Sequence, residues 1–177
     1  MQAIMRRIEP LSRGAVRVMG LVGWLSIVVG IGPMGCGGRM PEEFDHPTGR
    51  FMACPESPNC VSSFAQDEGH AIDALEIDGP AAEAWEALEG ELAARPGVEI
   101  VRRDEWYLHA VFTTRLMRYR DDVEFQLDAE GGEIQVRSAS RVGHSDMGTN
   151  RSRVESIRAA LADRGVVRPA LEDAYSH

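Results

Sequence analysis

The sequence contains no lysine: all 19 of its basic residues are arginine. We read this as the compositional mark of a GC-rich genome rather than a functional device. Acidic residues outnumber basic ones 28 to 19, for a formal net charge of −9. That balance excludes the broad basic surface needed to displace counterions from nucleic acid, so no nucleic-acid partner is expected. The glycines form neither a phosphate loop nor a dinucleotide fingerprint, and no cysteine–histidine spacing matches a standard zinc pattern. No cofactor and no metal are therefore expected; the nearest approach to a metal site is Cys54 and Cys60 with His46 or His70. His144-Ser145-Asp146 contains triad residue types, but adjacency in sequence is not triad geometry. A chain of 177 residues with 44% apolar content has enough material for one packed domain and not comfortably for two.

Charge is also absent locally. Arg6, Arg7, Arg13 and Arg17 open the chain with only Glu9 against them, and residues 18–38 carry no charge at all. A basic start followed by an apolar run is the layout of a secretory signal, and basic residues stay on the cytoplasmic side. Residues 1–38 are thus expected to be a signal peptide or membrane anchor, with everything after them outside the cytoplasm. Met34-Gly35-Cys36-Gly37 resembles the end of a bacterial lipobox, which would make Cys36 the lipidated mature N-terminus; Pro33 departs from that pattern, where leucine is usual. The alternative is an uncleaved span, for which the uncharged run is barely long enough. The expected location is the cell envelope, membrane-anchored and facing the periplasm or exterior.

Residues 39–49, with Pro41, Pro47 and Gly49, read as a tether, residues 50–165 as the folded domain, and residues 166–177 as a C-terminal tail. In an oxidising compartment the default for Cys54 and Cys60 is a disulfide closing a short loop. Residues 50–69 read as loop, 71–77 as a first strand, and 78–94 as a helix with Asp78 as cap and Pro80 in the first turn. Strands follow at 98–103, 106–114, 123–127 and 134–140, and a last helix at 150–164 stopped by Gly165. This order predicts an α+β fold: an antiparallel sheet of about five strands with two helices packed on one face.

Strand alternation puts Trp106, Leu108, Ala110, Phe112, Val123, Phe125, Leu127, Ile134 and Val136 on the helix-covered side. The opposite side holds the candidate site. A two-residue turn at Gly131-Gly132 would place Gln126 opposite Arg137, Glu124 opposite Ala139 and Asp122 opposite Arg141. Asp122, Glu124, Arg137 and Arg141 would then share one face, with His109 and Arg115 joining from the preceding strand. Guanidinium forks suit carboxylate or phosphate, so this face is a candidate for a small anionic ligand or a segment of an envelope protein. Arg151 and Arg153 fall in the first turn of the last helix, where cations oppose the helix dipole; Asp146, Asp121 or Asp122 is the first expectation for the negative charge that offsets them, and a bound anion is the alternative that adds Arg151 to the candidate set. The first reading is a tethered binding domain. Competing with it are a hydrolase or isomerase using His109 with a nearby carboxylate, and a purely structural ion-pair network with no ligand.

Several ordered motifs together carry a family likeness: Pro58-Asn59-Cys60-Val61-Ser62-Ser63, His70, Tyr107-Leu108-His109-Ala110, Asp121-Asp122-Val123-Glu124-Phe125, the run from Val136 through Arg137-Ser138-Ala139-Ser140-Arg141 to Asp146, and Asn150-Arg151-x-Arg153-Val154-Glu155. They resemble the DUF1499 family over about residues 54–161; His144 stands where that family often has an aromatic residue. The resemblance implies a domain type and an envelope or organelle-lumen setting. It implies no reaction.

Overall fold

The computed structural model describes residues 51–170. The signal or anchor segment, Cys36 and the tether lie outside the described residues, as does the end of the tail. Among the described residues no helix is long and apolar enough to cross a membrane.

The elements follow the order β1 (Cys60–Ser62), β2 (Leu75–Glu76), α1 (Ala81–Ala94), β3 (Val98–Arg103), β4 (Tyr107–Thr113), β5 (Arg120–Asp128), β6 (Glu133–Ser140) and α2 (Thr149–Ala162). All pair antiparallel in one sheet of order β1-β6-β5-β4-β3, with β2 also on the β6 edge. The fold is thus α+β, with six strands where about five were expected. Residues read as loop contain β1, and the strand read at 71–77 shrinks to β2, because these two short pieces share the edge of β6. Ser63 fills the step between them: its N–H donates to Val136 O at 2.9 Å and its Oγ accepts from Val136 N at 3.0 Å. The β6 edge is therefore hydrogen-bonded along its length.

Trp85, Leu88 and Leu92 of α1 and Val154, Ile157 and Leu161 of α2 pack with Leu108, Ala110, Val123, Phe125, Ile134 and Val136 into one core. Val166 and Val167 add to it, and Val167 bridges to Ile77. The helix start departs from the cap assigned to Asp78: Pro80 is the N-cap and no side chain caps α1. Pro80 O instead accepts from Glu83 and Ala84.

The β5–β6 connection corrects the expected register. Asp128 pairs with Glu133, so the turn holds residues 129–132 rather than two glycines. Asp128 Oδ1 accepts from Gly131 N at 2.8 Å, and Gly132 takes the left-handed conformation at φ 71°. Glu124 now lies opposite Arg137 and Asp122 opposite Ala139. The slip is two residues, an even number, so every side chain keeps its face. A slip of one would turn one strand over against the other and expose either Val123 and Phe125 or Ile134 and Val136, each side chain worth about 1.5–3 kcal/mol of burial. Cross-strand polar pairs, worth about 0.2–1 kcal/mol each, cannot compete with that. Apolar burial fixes the parity of the faces, and the Asp128 turn fixes the register within it.

The Cys54–Cys60 disulfide forms. Replacing both cysteines with serine is expected to cost about 2 kcal/mol, the chain-entropy value for so short a loop. Urea unfolding of the wild-type and double-serine chains, compared without reductant, checks this; an unchanged midpoint would mean the loop is held by its neighbours alone.

Candidate functional site

The sheet face turned away from the helices carries a buried set of polar side chains. Tyr107 and His109 come from β4, Asp122 and Glu124 from β5, Arg137 from β6, and Arg141 follows the end of β6. Tyr107 donates its hydroxyl to Glu124 Oε1 at 2.9 Å, and Arg137 Nη1 donates to Glu124 Oε2 at 3.0 Å. Arg141 grips Asp122 with two donors, Nε to Oδ2 at 2.8 Å and Nη2 to Oδ1 at 2.7 Å. His109 Nε2 lies 2.8 Å from Asp122 Oδ1. These are not solvated surface pairs: His109 and Glu124 are each 1% exposed, and Asp122 2%. Two carboxylates meet two guanidiniums, as buried charges require. Arg137 is 6% exposed, and its buried Nε has no hydrogen-bond partner among the described residues.

The two carboxylates are driven in opposite directions. Burial raises the Glu124 carboxyl above its ordinary 4.5, outweighing Arg137 and the Tyr107 hydroxyl. Burial also opposes ionisation of Asp122, but the Arg141 fork and His109 together outweigh it and hold that carboxyl below 3.8. Ionised Asp122 accepts, so His109 Nε2 is the protonated nitrogen. Arg141 is pushed further up by its bonds to Asp122, and Tyr107 is raised by burial and by the neighbouring Glu124.

The signs give a test. Asp122, depressed on folding, contributes stability that is present above its unfolded value and is lost as pH falls through the lowered folded value. Glu124, raised on folding, contributes most below its unfolded value, and that contribution is lost as pH rises through the raised one. Between about pH 3 and pH 7 the destabilisation by Asp122→Asn should therefore grow, while that by Glu124→Gln should shrink. Urea unfolding of both variants across that range reads the two slopes. Parallel slopes would contradict the assignment.

A second polar layer lies on the helix side, under the start of α2. Arg153 pairs with Asp121, donates to Ser138 Oγ at 2.9 Å and covers the Phe112 ring at 4.8 Å. Asn150, fully buried, accepts from Ser138 Oγ at 2.6 Å and donates to Asn59 O at 2.9 Å and Asp146 Oδ2 at 2.6 Å. Asp146 also accepts from the N–H groups of Gly148 and Asn150 at 2.9 and 2.8 Å. The negative charge owed to the helix start is therefore internal: Asp146 and Asp121 supply it. Asp146 is committed to this role and forms no triad with His144 and Ser145.

Two residues of the candidate set, Arg115 from the expected face and Arg151 from the helix start, stand apart from it. Arg115 lies in the exposed β4–β5 loop, because β4 ends at Thr113 before alternation reaches it. Arg151 reaches round the other side of α2 and donates to Ala71 O at 2.7 Å. It lines a cavity of about 480 Å³ with Ser63, Phe64, Asp73, Gln135 and Glu155, apart from the charged face. His109, Asp122, Glu124, Arg137 and Arg141 do come together. Asp121 and Asp146 are carboxylates expected to offset the arginines of the helix start, whereas Tyr107 and Asn150 were missed as members of buried networks. The signal for a second polar layer was the paired spelling Asp121-Asp122 and Ser138 between Arg137 and Ala139: adjacent polar residues on a strand serve opposite faces. Arg158 had no such signal. It is buried and ties Asp73 O and Ala74 O to α2 at 2.8 and 2.7 Å. His70 bridges Asp67 Oδ1 at 2.7 Å and Ser57 O at 3.2 Å, bonds that together raise its pKa. Both thiols of the alternative metal set are taken by the disulfide.

Fold and networks together define a small antiparallel α+β domain with a buried charged layer on one sheet face and a polar cap under α2 on the other. The chain belongs to the DUF1499 family, described as a protein of unknown function, whose model matches residues 50–161. Neither the curated proteins nor the solved structures compared with the chain gave a significant match.

Proposed function

We propose that this chain is a cell-envelope domain, tethered to the membrane by its N-terminal segment and facing the periplasm or exterior, which binds a small anionic ligand or an acidic segment of an envelope partner beside Arg137. The observation that carries this reading is the buried Arg137 Nε, which has no acceptor among the described residues. A buried guanidinium donor left unmade costs about 1–3 kcal/mol, and a carboxylate or phosphate oxygen would satisfy it. Glu124 is the group that makes room. Its raised carboxyl can take a proton when a second anion approaches Arg137, so binding should strengthen as pH falls toward 5.

The test is thermal unfolding of the full chain against acetate, citrate, inorganic phosphate and sulfate at about pH 5 and pH 8. A ligand at 100 times its Kd stabilises by about 2.7 kcal/mol, a Tm rise on the order of 10 °C for a domain of this size. The rise should be larger at the lower pH and disappear in a folded Arg137→Gln variant. No rise with any anion would leave the Nε to ordered water and the face to a structural role. The tether is read separately, by intact mass of membrane-fraction protein with and without Cys36→Ser. An acylated chain starting at Cys36, lost in the variant, supports the lipobox reading; a full-length mass supports an uncleaved span.

The 2.8 Å contact of His109 with Asp122 favours a second reading, a hydrolase or isomerase with His109 as base. His109 lines neither of two cavities of about 480 Å³, one beside Arg151 and one beside Trp85. Turnover abolished by His109→Gln, with anion binding intact, would establish it.

A further inference from the structure

The β4–β5 loop displays apolar side chains to solvent without cover. Leu116 is 89% exposed and Met117 57%, and Tyr119 beside them is partly exposed. Between Thr114 and Arg120 the sequence is Arg-Leu-Met-Arg-Tyr, with no acidic residue. The loop is closed on itself: Thr114 N donates to Tyr119 O and Tyr119 N to Thr114 Oγ1, both at 2.8 Å. Arg118 sits in the left-handed region at φ 58°, where glycine would be the unstrained choice. Arg115 and Arg118 form no ion pair among the described residues, whereas Arg120 has Glu99 at 4.0 Å. An apolar tip flanked by free guanidiniums is the composition of a segment that lies in a lipid interface, tip among the acyl chains and charges at anionic headgroups.

The loop is part of a larger apolar patch at one end of the sheet. Thr113 pairs with Arg120, Asp121 with Ser140, and Cys60 with Ala139, so the β4–β5 loop, the β6–α2 loop and the start of β1 share one end of the sheet. The β6–α2 loop adds Met147, 97% exposed, so four of the seven exposed large apolar side chains among the described residues lie at this end. Cys54 is fixed to Cys60 at the same end, and Phe51 is three residues further. Phe51 packs on Phe64, with ring centroids 5.4 Å apart. Two guanidiniums with no carboxylate in the loop match anionic headgroups, and the exposed apolar side chains beside them match the acyl region below those headgroups.

We infer that this end of the domain rests on the membrane, with Leu116 and Met117 inserted at the interface and Arg115 and Arg118 on anionic headgroups. The inference rests on the tethered reading. Its test uses the full chain in vesicles of phosphatidylcholine and phosphatidylglycerol carrying nitroxide-labelled lipid. Leu116→Cys is labelled with an environment-sensitive fluorophore without reductant, and Glu130→Cys, in the turn at the opposite end of the sheet, serves as control. The unsubstituted chain, labelled in parallel, measures any signal from Cys36. The Leu116 label is expected to shift to shorter wavelength and to be quenched, the Glu130 label to do neither. Arg115→Gln with Arg118→Gln should reduce the quenching, as should vesicles of phosphatidylcholine alone. A chain that floats with the vesicles while its Leu116 label stays solvent-like overturns the inference and leaves the tether intact. A chain that does not float overturns both.

Discussion

Arg141→Ala should destabilise the domain by about 3–5 kcal/mol, the cost of stranding one partner of a buried ion pair. For a domain of this size the melting midpoint should fall on the order of 15 °C. The reason lies in Asp122. Arg141 supplies two of its hydrogen bonds, and the carboxyl is 2% exposed. Asp122 is also held ionised, so it does not readily escape the loss by taking a proton at neutral pH. Arg141→Lys keeps the charge but not the fork and should recover part of the loss. Arg137→Ala should cost distinctly less. It removes one bond to Glu124, a carboxyl already raised by burial that can neutralise itself by protonation. Thermal and urea unfolding of the three variants orders them. Equal midpoints for Arg141→Ala and wild type would show that the Asp122 pair is not the keystone of this face.

This contrast divides the charged face into a half that holds the sheet together and a half with a donor to spare. Arg141 and Asp122 are mutually satisfied, and their stability role explains them without a ligand. Arg137 is not fully satisfied, and that separates the binding proposal from a purely structural network.

The fold was legible in the sequence wherever burial governed it. Leu108, Ala110, Val123, Phe125, Ile134 and Val136 alternate cleanly, and the elements they predict pack on the helices as expected. The faces survived an incorrect register because the slip was even. The turn was not legible, because the Gly-Gly pair suits a two-residue hairpin and the choice fell to Asp128, whose carboxylate builds the longer turn. β1 was hidden because a three-residue strand has too few positions to show a period. Arg115 was misplaced by extending alternation past the strand end. The arginine-rich helix start calls for a carboxylate, and Asp146 and Asp121 supply it as expected; Arg151 itself turns to the Ala71 carbonyl, a partner that no spacing in the sequence announces.

Asn150 is the residue on which the second polar layer turns, and its replacement should be nearly as damaging as that of Arg141. Its carboxamide works at both ends. Oδ1 accepts from Ser138 and Arg153, and Nδ2 donates to Asn59 O, Ser140 Oγ and Asp146 Oδ2. Asn150→Ala leaves several of these groups unpartnered in a site with no exposure, at about 1–3 kcal/mol for each buried group so orphaned. A total of about 3–4 kcal/mol is expected after local relaxation. Asn150→Asp is the sharper variant, because it keeps the shape and replaces the donor with an acceptor. The ionised carboxylate so introduced would face the Asn59 carbonyl and the Asp146 carboxylate, and Arg153 alone would not offset both. The variant should therefore be worse than alanine at neutral pH and recover as pH falls far enough to protonate the new carboxylate. Unfolding of both variants between about pH 4 and pH 8 checks this. An aspartate variant as stable as wild type across the range would mean that Nδ2 is not the donor that joins β1, β6 and α2.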